Sequence, residues 1–136
     1  MTYLADTSMI VRLRHGQKIE PRWVDAVQAG LVGVCPAVEA ELVRAVGSNA
    51  DREQLRRILR DLFTWHPMPD RVWGFVEQTQ DELVSVGRHS GPSVVDLLVA
   101  GTAQAWDLTV LHVDADFETI ATVTELRTQR ADLGRP

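Results

Sequence analysis

The sequence has little cysteine and no long apolar run. Cys35 is the only cysteine among the 136 residues, which excludes a disulfide framework and a four-cysteine zinc site. No apolar segment approaches the roughly 20 residues that a membrane-spanning helix needs. The N-terminal residues carry Asp6 and no basic leader, so we expect no signal peptide, no membrane association and a cytoplasmic location.

Lysine is almost absent, and positive charge is in the minority. The 14 Lys and Arg residues face 19 Asp and Glu residues, a net charge of −5 that argues against a general nucleic-acid coat. Every basic residue except Lys18 is an arginine. Guanidinium groups suit phosphates and carboxylates, although a GC-rich genome would produce the same bias. The length and the 45% apolar content predict a single domain over residues 1–136.

Short apolar runs alternate with helical patterns along the chain. This alternation predicts an α/β protein, a three-layer α/β/α sandwich with a central, mainly parallel sheet. The predicted strands are Thr2–Ala5, Leu31–Cys35, Thr64–Met68, Thr109–Val113 and an edge strand at Thr124–Arg127. The predicted helices are Thr7–His15, Pro21–Ala29, Pro36–Val46, Arg52–Leu62, Val72 to about Gly87, Ser93–Trp106 and a single turn at Phe117–Ala121.

Acidic residues follow several of the predicted strands. In an open parallel sheet, ligands bind beyond the carboxyl ends of the strands. Asp6 ends the first strand, and Glu41 lies in the helix that follows the second. Asp96 lies in the first turn of an apolar helix, and Asp114 and Asp116 follow the strand at 109–113. We expect these acids to converge in one cleft.

Each acid also has a purely structural explanation. Asp6 could cap the first helix, and Asp96 lies three residues after Ser93, as in a capping box. The acids after residue 113 could be ordinary turn residues. Glu41 could be an exposed helix residue, and Glu39 competes with it, because two helical positions are about 200° apart and cannot face one site.

As a set, the acids predict a metal site. Clustered carboxylates repel one another and take up protons unless a cation balances them. Hard oxygen ligands without His or Cys favour Mg²⁺ or Mn²⁺ over zinc. Such an ion can activate water and stabilise the leaving oxygen of a phosphodiester. The sequence contains no phosphate-binding loop motif and no nucleophilic-serine elbow, so metal-dependent phosphodiester hydrolysis is the favoured chemistry.

The order and spacing of these motifs resemble those of PIN domains, above all the compact VapC-type toxins of toxin–antitoxin pairs. The resemblance covers about residues 2–127. It is carried by four segments: LADTS at 4–8, PAVEAEL at 36–42, PSVVDLLVA at 92–100 and VLHVDADF at 110–117.

The resemblance implies a Mg²⁺- or Mn²⁺-dependent endoribonuclease, with RNA as its substrate. It implies that the protein forms a homodimer and that a cognate antitoxin inhibits it by blocking the cleft. It also implies site residues: Asp6, Asp96 and one or both of Asp114 and Asp116 would bind metal, Glu41 would complete the catalytic acids, and Thr7 or Ser8 would support them.

One residue departs from the family pattern. PIN domains usually carry Thr or Ser two positions before the first acid of the last motif, and His112 stands there. A neutral imidazole could make a similar hydrogen bond, and a charged one could contact an RNA phosphate; a core position is the structural alternative. With His112, the candidate RNA contacts are Arg12, Arg14, Lys18 and Arg88.

A second hypothesis is a non-catalytic PIN-like module that binds RNA or a partner protein. The intact set of acids argues against it, because a degenerate module would be expected to have lost at least one of them.

Overall fold

A central sheet flanked by helices organises the chain. The structure is a computed structural model and describes residues 1–132. Within these residues the strands are β1 (Tyr3–Ala5), β2 (Val32–Val34), β3 (Thr64–Trp65), β4 (Thr109–His112) and β5 (Thr128–Arg130). The helices are α1 (Thr7–Arg14), α2 (Pro21–Gln28), α3 (Pro36–Arg44), α4 (Asn49–Leu62), α5 (Val72–Ser85), α6 (Val94–Ala105) and α7 (Ala115–Ala121).

The sheet is parallel throughout the described residues. Its strand order is β3-β2-β1-β4-β5, and β1 pairs in parallel with both β2 and β4. The inner strands β2 and β4 are fully buried and rich in β-branched and leucine side chains, as expected for strands covered on both faces. The predicted α/β/α sandwich is therefore confirmed, and the carboxyl ends of all the strands meet at one edge.

Helix α6 is the central helix of the core. It contacts α3, α5 and α7 as well as β1 and β4, which explains why it is apolar nearly all round. Gly101 permits a close approach of α5, because a Cβ atom there would lie 2.7 Å from the Phe75 ring. The position of α6 fixes where its first turn, with Asp96, meets the edge of the sheet.

The predicted edge strand at 124–127 is wrong. The Thr124 hydroxyl donates to the Ile120 carbonyl at 2.9 Å and accepts from the Leu126 amide at 3.2 Å. These bonds form a turn that follows α7, a local arrangement that competes with strand pairing. The fifth strand begins instead at Thr128 and pairs in parallel with β4.

Two helices begin earlier than predicted. The Ser48 hydroxyl accepts a hydrogen bond from the Asp51 amide and caps α4, which therefore starts at Asn49 rather than at residue 52. Asp114 caps α7 in the same way, so that this helix starts at Ala115. Among residues 1–132, no helix has the length and apolar character needed to cross a membrane.

Candidate metal centre

Three acids come together at the carboxyl edge of the sheet. Asp96 lies in the first turn of α6, Asp114 is the N-cap of α7, and Asp116 lies in the first turn of α7. Each offers one carboxylate oxygen, and these oxygens lie within 4.8 Å of one another. All three side chains are half-buried. The spacing suits carboxylates that share one cation.

Asp6 lies beside this group in a rigid setting. It is 3% exposed and caps α1 by accepting a hydrogen bond from the Met9 amide at 3.0 Å. The Ser8 hydroxyl lies 2.8 and 2.7 Å from the two carboxylate oxygens of Asp6. The same hydroxyl accepts from the Val113 amide at 3.1 Å. Ser8 therefore holds the Asp6 carboxylate and joins the end of β1 to the end of β4.

Burial makes the charged form of Asp6 costly. Desolvation raises its pKa from 3.8 to about 6, although the hydrogen bonds from Ser8 and Met9 act in the opposite direction. The negative charge of Asp96 raises the pKa of Asp6 further, so the two carboxylates are close enough to repel each other. A bound cation would relieve both the repulsion and part of the desolvation cost.

Asp96 combines a structural role with its place in the group. Its Oδ2 atom accepts from the Ser93 amide at 2.9 Å, and the Ser93 hydroxyl accepts from the Asp96 amide at 3.1 Å. This is the capping box that the sequence suggested. Burial, followed by the charges of Asp114 and Asp116, raises the pKa of Asp96. The other carboxylate oxygen, Oδ1, makes no hydrogen bond within residues 1–132 and is free to bind a ligand.

The turn after β4 holds the remaining two acids. The Asp116 amide donates to Asp114 Oδ1 at 2.9 Å, and the Asp114 amide donates to His112 Nδ1 at 3.1 Å. Burial and the nearby charge of Asp114 raise the pKa of Asp116. Thr7, the other predicted supporting hydroxyl, has a buried Oγ1 atom without a hydrogen-bond partner in the described part of the chain.

His112 is completely buried. Desolvation, followed by the positive charge of Arg130, lowers the pKa of its imidazole to about 4, so the ring is neutral at neutral pH. Because it is buried, His112 cannot contact a bound RNA in this structure. Its neutral imidazole instead makes a hydrogen bond inside the protein, the first of the alternatives that the sequence offered. Its ring centroid lies 5.4 Å from that of Phe117.

The two glutamates of α3 face different surroundings. Glu39 is buried against α4, with its Oε1 atom 3.2 Å from Arg60 Nη2 and 3.6 Å from Arg56 Nε. Glu41 is half-buried and forms no ion pair within residues 1–132. Glu39 is thus committed to holding α3 against α4. Glu41 is not part of the group formed by the three aspartates.

The loop between α5 and α6 borders the acids. A Cβ atom on Gly91 would lie 3.2 Å from Asp116 Oδ1 and 3.7 Å from the Arg88 carbonyl oxygen. The loop backbone therefore passes directly beside Asp116, and Arg88 is exposed at this rim. Of the other candidate RNA contacts, Arg14 and Lys18 are exposed and Arg12 is half-buried.

Sequence reasoning missed Arg130. It is the parallel-sheet neighbour of His112 on β5, and it pairs with Glu118 at 2.6 Å and with Asp132 at 3.1 Å. These bonds join β5 to α7 beside the acidic turn. Arg130 could have been found only from the position of the fifth strand, and the strand predicted from the sequence begins four residues before the observed one.

This protein has a parallel α/β/α fold and a group of carboxylates at the carboxyl edge of its sheet. It therefore belongs to the class of α/β proteins whose site suits a hard cation. The PIN domain family model matches residues 3–123. The chain belongs to the PIN-domain family.

Individual relatives agree with this assignment. Ribonuclease VapC2 of Mycobacterium tuberculosis is 34% identical over 133 residues, which cover 94% of this chain and 91% of the relative. Ribonuclease VapC21 of the same species is 30% identical over 122 residues, covering 90% and 88%.

Solved structures share the fold at lower sequence identity. VapBC2 from Rickettsia felis, bound to a DNA fragment from its promoter, has a chain that matches with a TM-score of 0.75 at 16% identity, covering 97% of this chain and all of that one. VapBC-1 from nontypeable Haemophilus influenzae also gives a TM-score of 0.75 at 16% identity, covering 96% and 98%.

Proposed function

We propose that this protein is a metal-dependent endoribonuclease that hydrolyses RNA phosphodiester bonds and acts as the toxin of a type II toxin–antitoxin system. The observation that carries the proposal is the group formed by Asp96, Asp114 and Asp116, whose oxygens lie within 4.8 Å of one another at the carboxyl edge of the sheet. The curated relatives, which bear the name Ribonuclease VapC, support it.

The donor set fits Mg²⁺ or Mn²⁺. The group consists of carboxylates alone, and hard oxygen ligands favour these ions over zinc. Asp6, Asp96, Asp114 and Asp116 would hold the ion, and Glu41 would be an additional catalytic acid. A bound ion of this kind supplies positive charge at the phosphoryl oxygens and a water of lowered pKa.

The protein's own contribution is to fix the carboxylates before RNA binds. Asp6 is held by Ser8 and the Met9 amide, and Asp96 is held by the Ser93 amide. Because these bonds already exist without substrate, little reorganisation is needed during the reaction. Burial and neighbouring carboxylates raise the pKa values of Asp6 and Asp96 because they make negative charge costly there, and a bound cation would offset that cost.

Basic residues near the acids would bind the RNA backbone. Arg88 borders the acids through the Gly91 loop, and Arg12, Arg14 and Lys18 lie in or just after α1, the helix that Asp6 caps. Their positive charge would offset the acidic balance of the chain where phosphates approach.

Replacing Arg88 by Ala should weaken RNA binding and reduce the salt dependence of binding by about one released counterion. The measurement is fluorescence-anisotropy titration of RNA at several salt concentrations, with catalytically silent Asp96→Asn protein as the background. Arg57→Ala on the exposed face of α4 is the matched control. An equal salt slope for Arg88→Ala and for the control would remove Arg88 from the binding surface.

We further propose a cognate antitoxin as the inhibitory partner, a homodimer as the assembly and the cytoplasm as the location. The solved structures with this fold include VapBC complexes from several bacteria, which supports the antitoxin partner.

Cleavage of RNA by the purified, antitoxin-free protein tests the proposed function. With Mn²⁺ or Mg²⁺ we expect discrete products from a pool of total cellular RNA, and excess EDTA should abolish them. Restoring the ion should restore the same products. Products that persist in EDTA would contradict the metal-dependent mechanism. Metal binding by calorimetry, without cleavage of any RNA in the pool, would favour the non-catalytic binding module instead.

A further inference from the structure

The buried imidazole of His112 makes one described hydrogen bond, and that bond goes to the acidic turn. His112 is the last residue of β4 and is completely buried. Its Nδ1 atom accepts from the Asp114 amide at 3.1 Å, so the ring proton is on Nε2. The Nε2 atom is buried without a hydrogen-bond partner within residues 1–132. An apolar ring would fill this space without leaving a polar atom unpaired, so the bond at Nδ1 is what distinguishes histidine here.

This bond is the first of two that run through the acidic turn. The Asp114 amide donates to His112, and the Asp116 amide donates to the Asp114 carboxylate at 2.9 Å. Within the described residues the Asp114 amide has no other acceptor. Without the imidazole nitrogen, that amide would be left unpaired at the point where the chain turns from β4 into α7.

The His112 ring is itself fixed from two sides. It packs against Phe117 of α7 at 5.4 Å between centroids. Its sheet neighbour on β5 is Arg130, which pairs with Glu118 of α7 and with Asp132. The ring is therefore held between the sheet and the helix that carries Asp116, and a change in its hydrogen bonding would be transmitted to that helix.

We propose that His112 is a positioning residue for the metal centre, and that its Nδ1 atom fixes the backbone turn that presents Asp114 and Asp116 to the cation. This inference rests on the proposed function, since it assumes that these aspartates bind the metal. Replacing a residue that orients metal ligands through hydrogen bonds typically costs about 10- to 100-fold in metal affinity or activity.

Two substitutions separate the hydrogen bond from the volume of the ring. His112→Phe keeps a ring of similar size but has no acceptor. His112→Asn is smaller but places its carbonyl oxygen, a good acceptor, close to the position of Nδ1. Ile120→Val, a conservative change in the buried part of α7, serves as the control for a simple loss of core packing.

Calorimetric titration with Mn²⁺ alone, at neutral pH and without RNA, is the deciding measurement. We expect His112→Phe to bind Mn²⁺ at least about tenfold more weakly than the wild-type protein. His112→Asn should recover most of that affinity, and Ile120→Val should bind normally even though its stability falls. Amide hydrogen exchange should show reduced protection of Asp114 in His112→Phe and near-normal protection in His112→Asn.

Each contrary result has a distinct meaning. Equal Mn²⁺ affinity in His112→Phe and the wild-type protein would overturn this inference while leaving the metal site in place. Weak binding by both His112→Phe and His112→Asn would overturn the role of the Nδ1 acceptor. Absence of Mn²⁺ binding by the wild-type protein would overturn the proposed metal site itself, and this inference with it. Should His112→Phe fail to fold, His112→Gln replaces it, because its carbonyl lies one bond too far out to reach the Asp114 amide.

Discussion

Replacing Asp96 by Asn is expected to lower the rate of RNA cleavage by at least about 100-fold while leaving the fold intact. Asp96 provides one of the three grouped carboxylates, and the substitution removes a full negative charge from the ligands proposed for the cation. The capping box is expected to survive, because the asparagine carbonyl can still accept the hydrogen bond from the Ser93 amide.

This prediction is checked by initial rates of cleavage with saturating Mn²⁺, alongside circular dichroism to verify folding. Asp81→Asn, at an exposed position of α5, is the matched control and should cleave at the wild-type rate. Expression in the absence of an antitoxin should arrest growth for the wild-type and Asp81→Asn proteins, but not for Asp96→Asn. Wild-type cleavage by Asp96→Asn would exclude Asp96 from the catalytic site.

Replacing Asp6 by Asn is expected to stabilise the metal-free protein at neutral pH while abolishing its activity. Burial raises the pKa of the Asp6 carboxyl group from 3.8 to about 6, so the folded state binds a proton at this group more tightly than the unfolded state does. Protonation of Asp6 therefore favours the folded state. Its contribution to the free energy of unfolding is fully present below pH 3.8 and is lost as the pH rises through about 6. The loss amounts to about 3 kcal/mol, and the asparagine variant, which does not titrate, avoids it.

Urea unfolding measures this effect. It is carried out at several pH values from about 3.5 to about 7.5, so that the range extends roughly 1.5 units above the folded-state pKa of Asp6. The free energy of unfolding of Asp6→Asn, relative to that of the wild-type protein, should rise by about 3 kcal/mol across this interval. Mn²⁺ should raise the melting temperature of the wild-type protein at pH 7, but not that of Asp6→Asn. If the free energies of unfolding of the wild-type and Asp6→Asn proteins changed with pH in parallel, burial would not be disfavouring the charged form of Asp6.

Much of the fold could be predicted from the sequence because the strands and helices of its core have clear hydrophobic patterns. The apolar segments that became β1, β2 and β4 alternate with amphipathic helices, and that pattern permits few arrangements other than a covered parallel sheet. The fifth strand could not be located in the same way. Its residues, TQR at 128–130, are half-buried and polar, so they carry no hydrophobic period, and a local turn at Thr124 displaced the strand towards the C-terminus.

The candidate site was partly predictable for a related reason. Parallel strands end at one edge, so acids that follow β1 and β4 had to lie near each other. The choice between Asp114 and Asp116 could not be made from spacing, and in the structure both lie in the group with Asp96. The pairing of Glu39 with α4 and the bond from the Asp114 amide to His112 depend on how separate elements pack. No local pattern encodes such contacts.

The hydrogen bond from the Val113 amide to the Ser8 hydroxyl joins residues that lie 105 positions apart in the chain. Strand β1 is synthesised well before its sheet partner β4 and cannot pair with it until the residues between them have been made. Contacts of such long range form late and slowly during folding. A nascent chain that contains Asp6 therefore has no assembled site until residues 109–116 have emerged from the ribosome, and fragments truncated before β4 are expected to cleave no RNA.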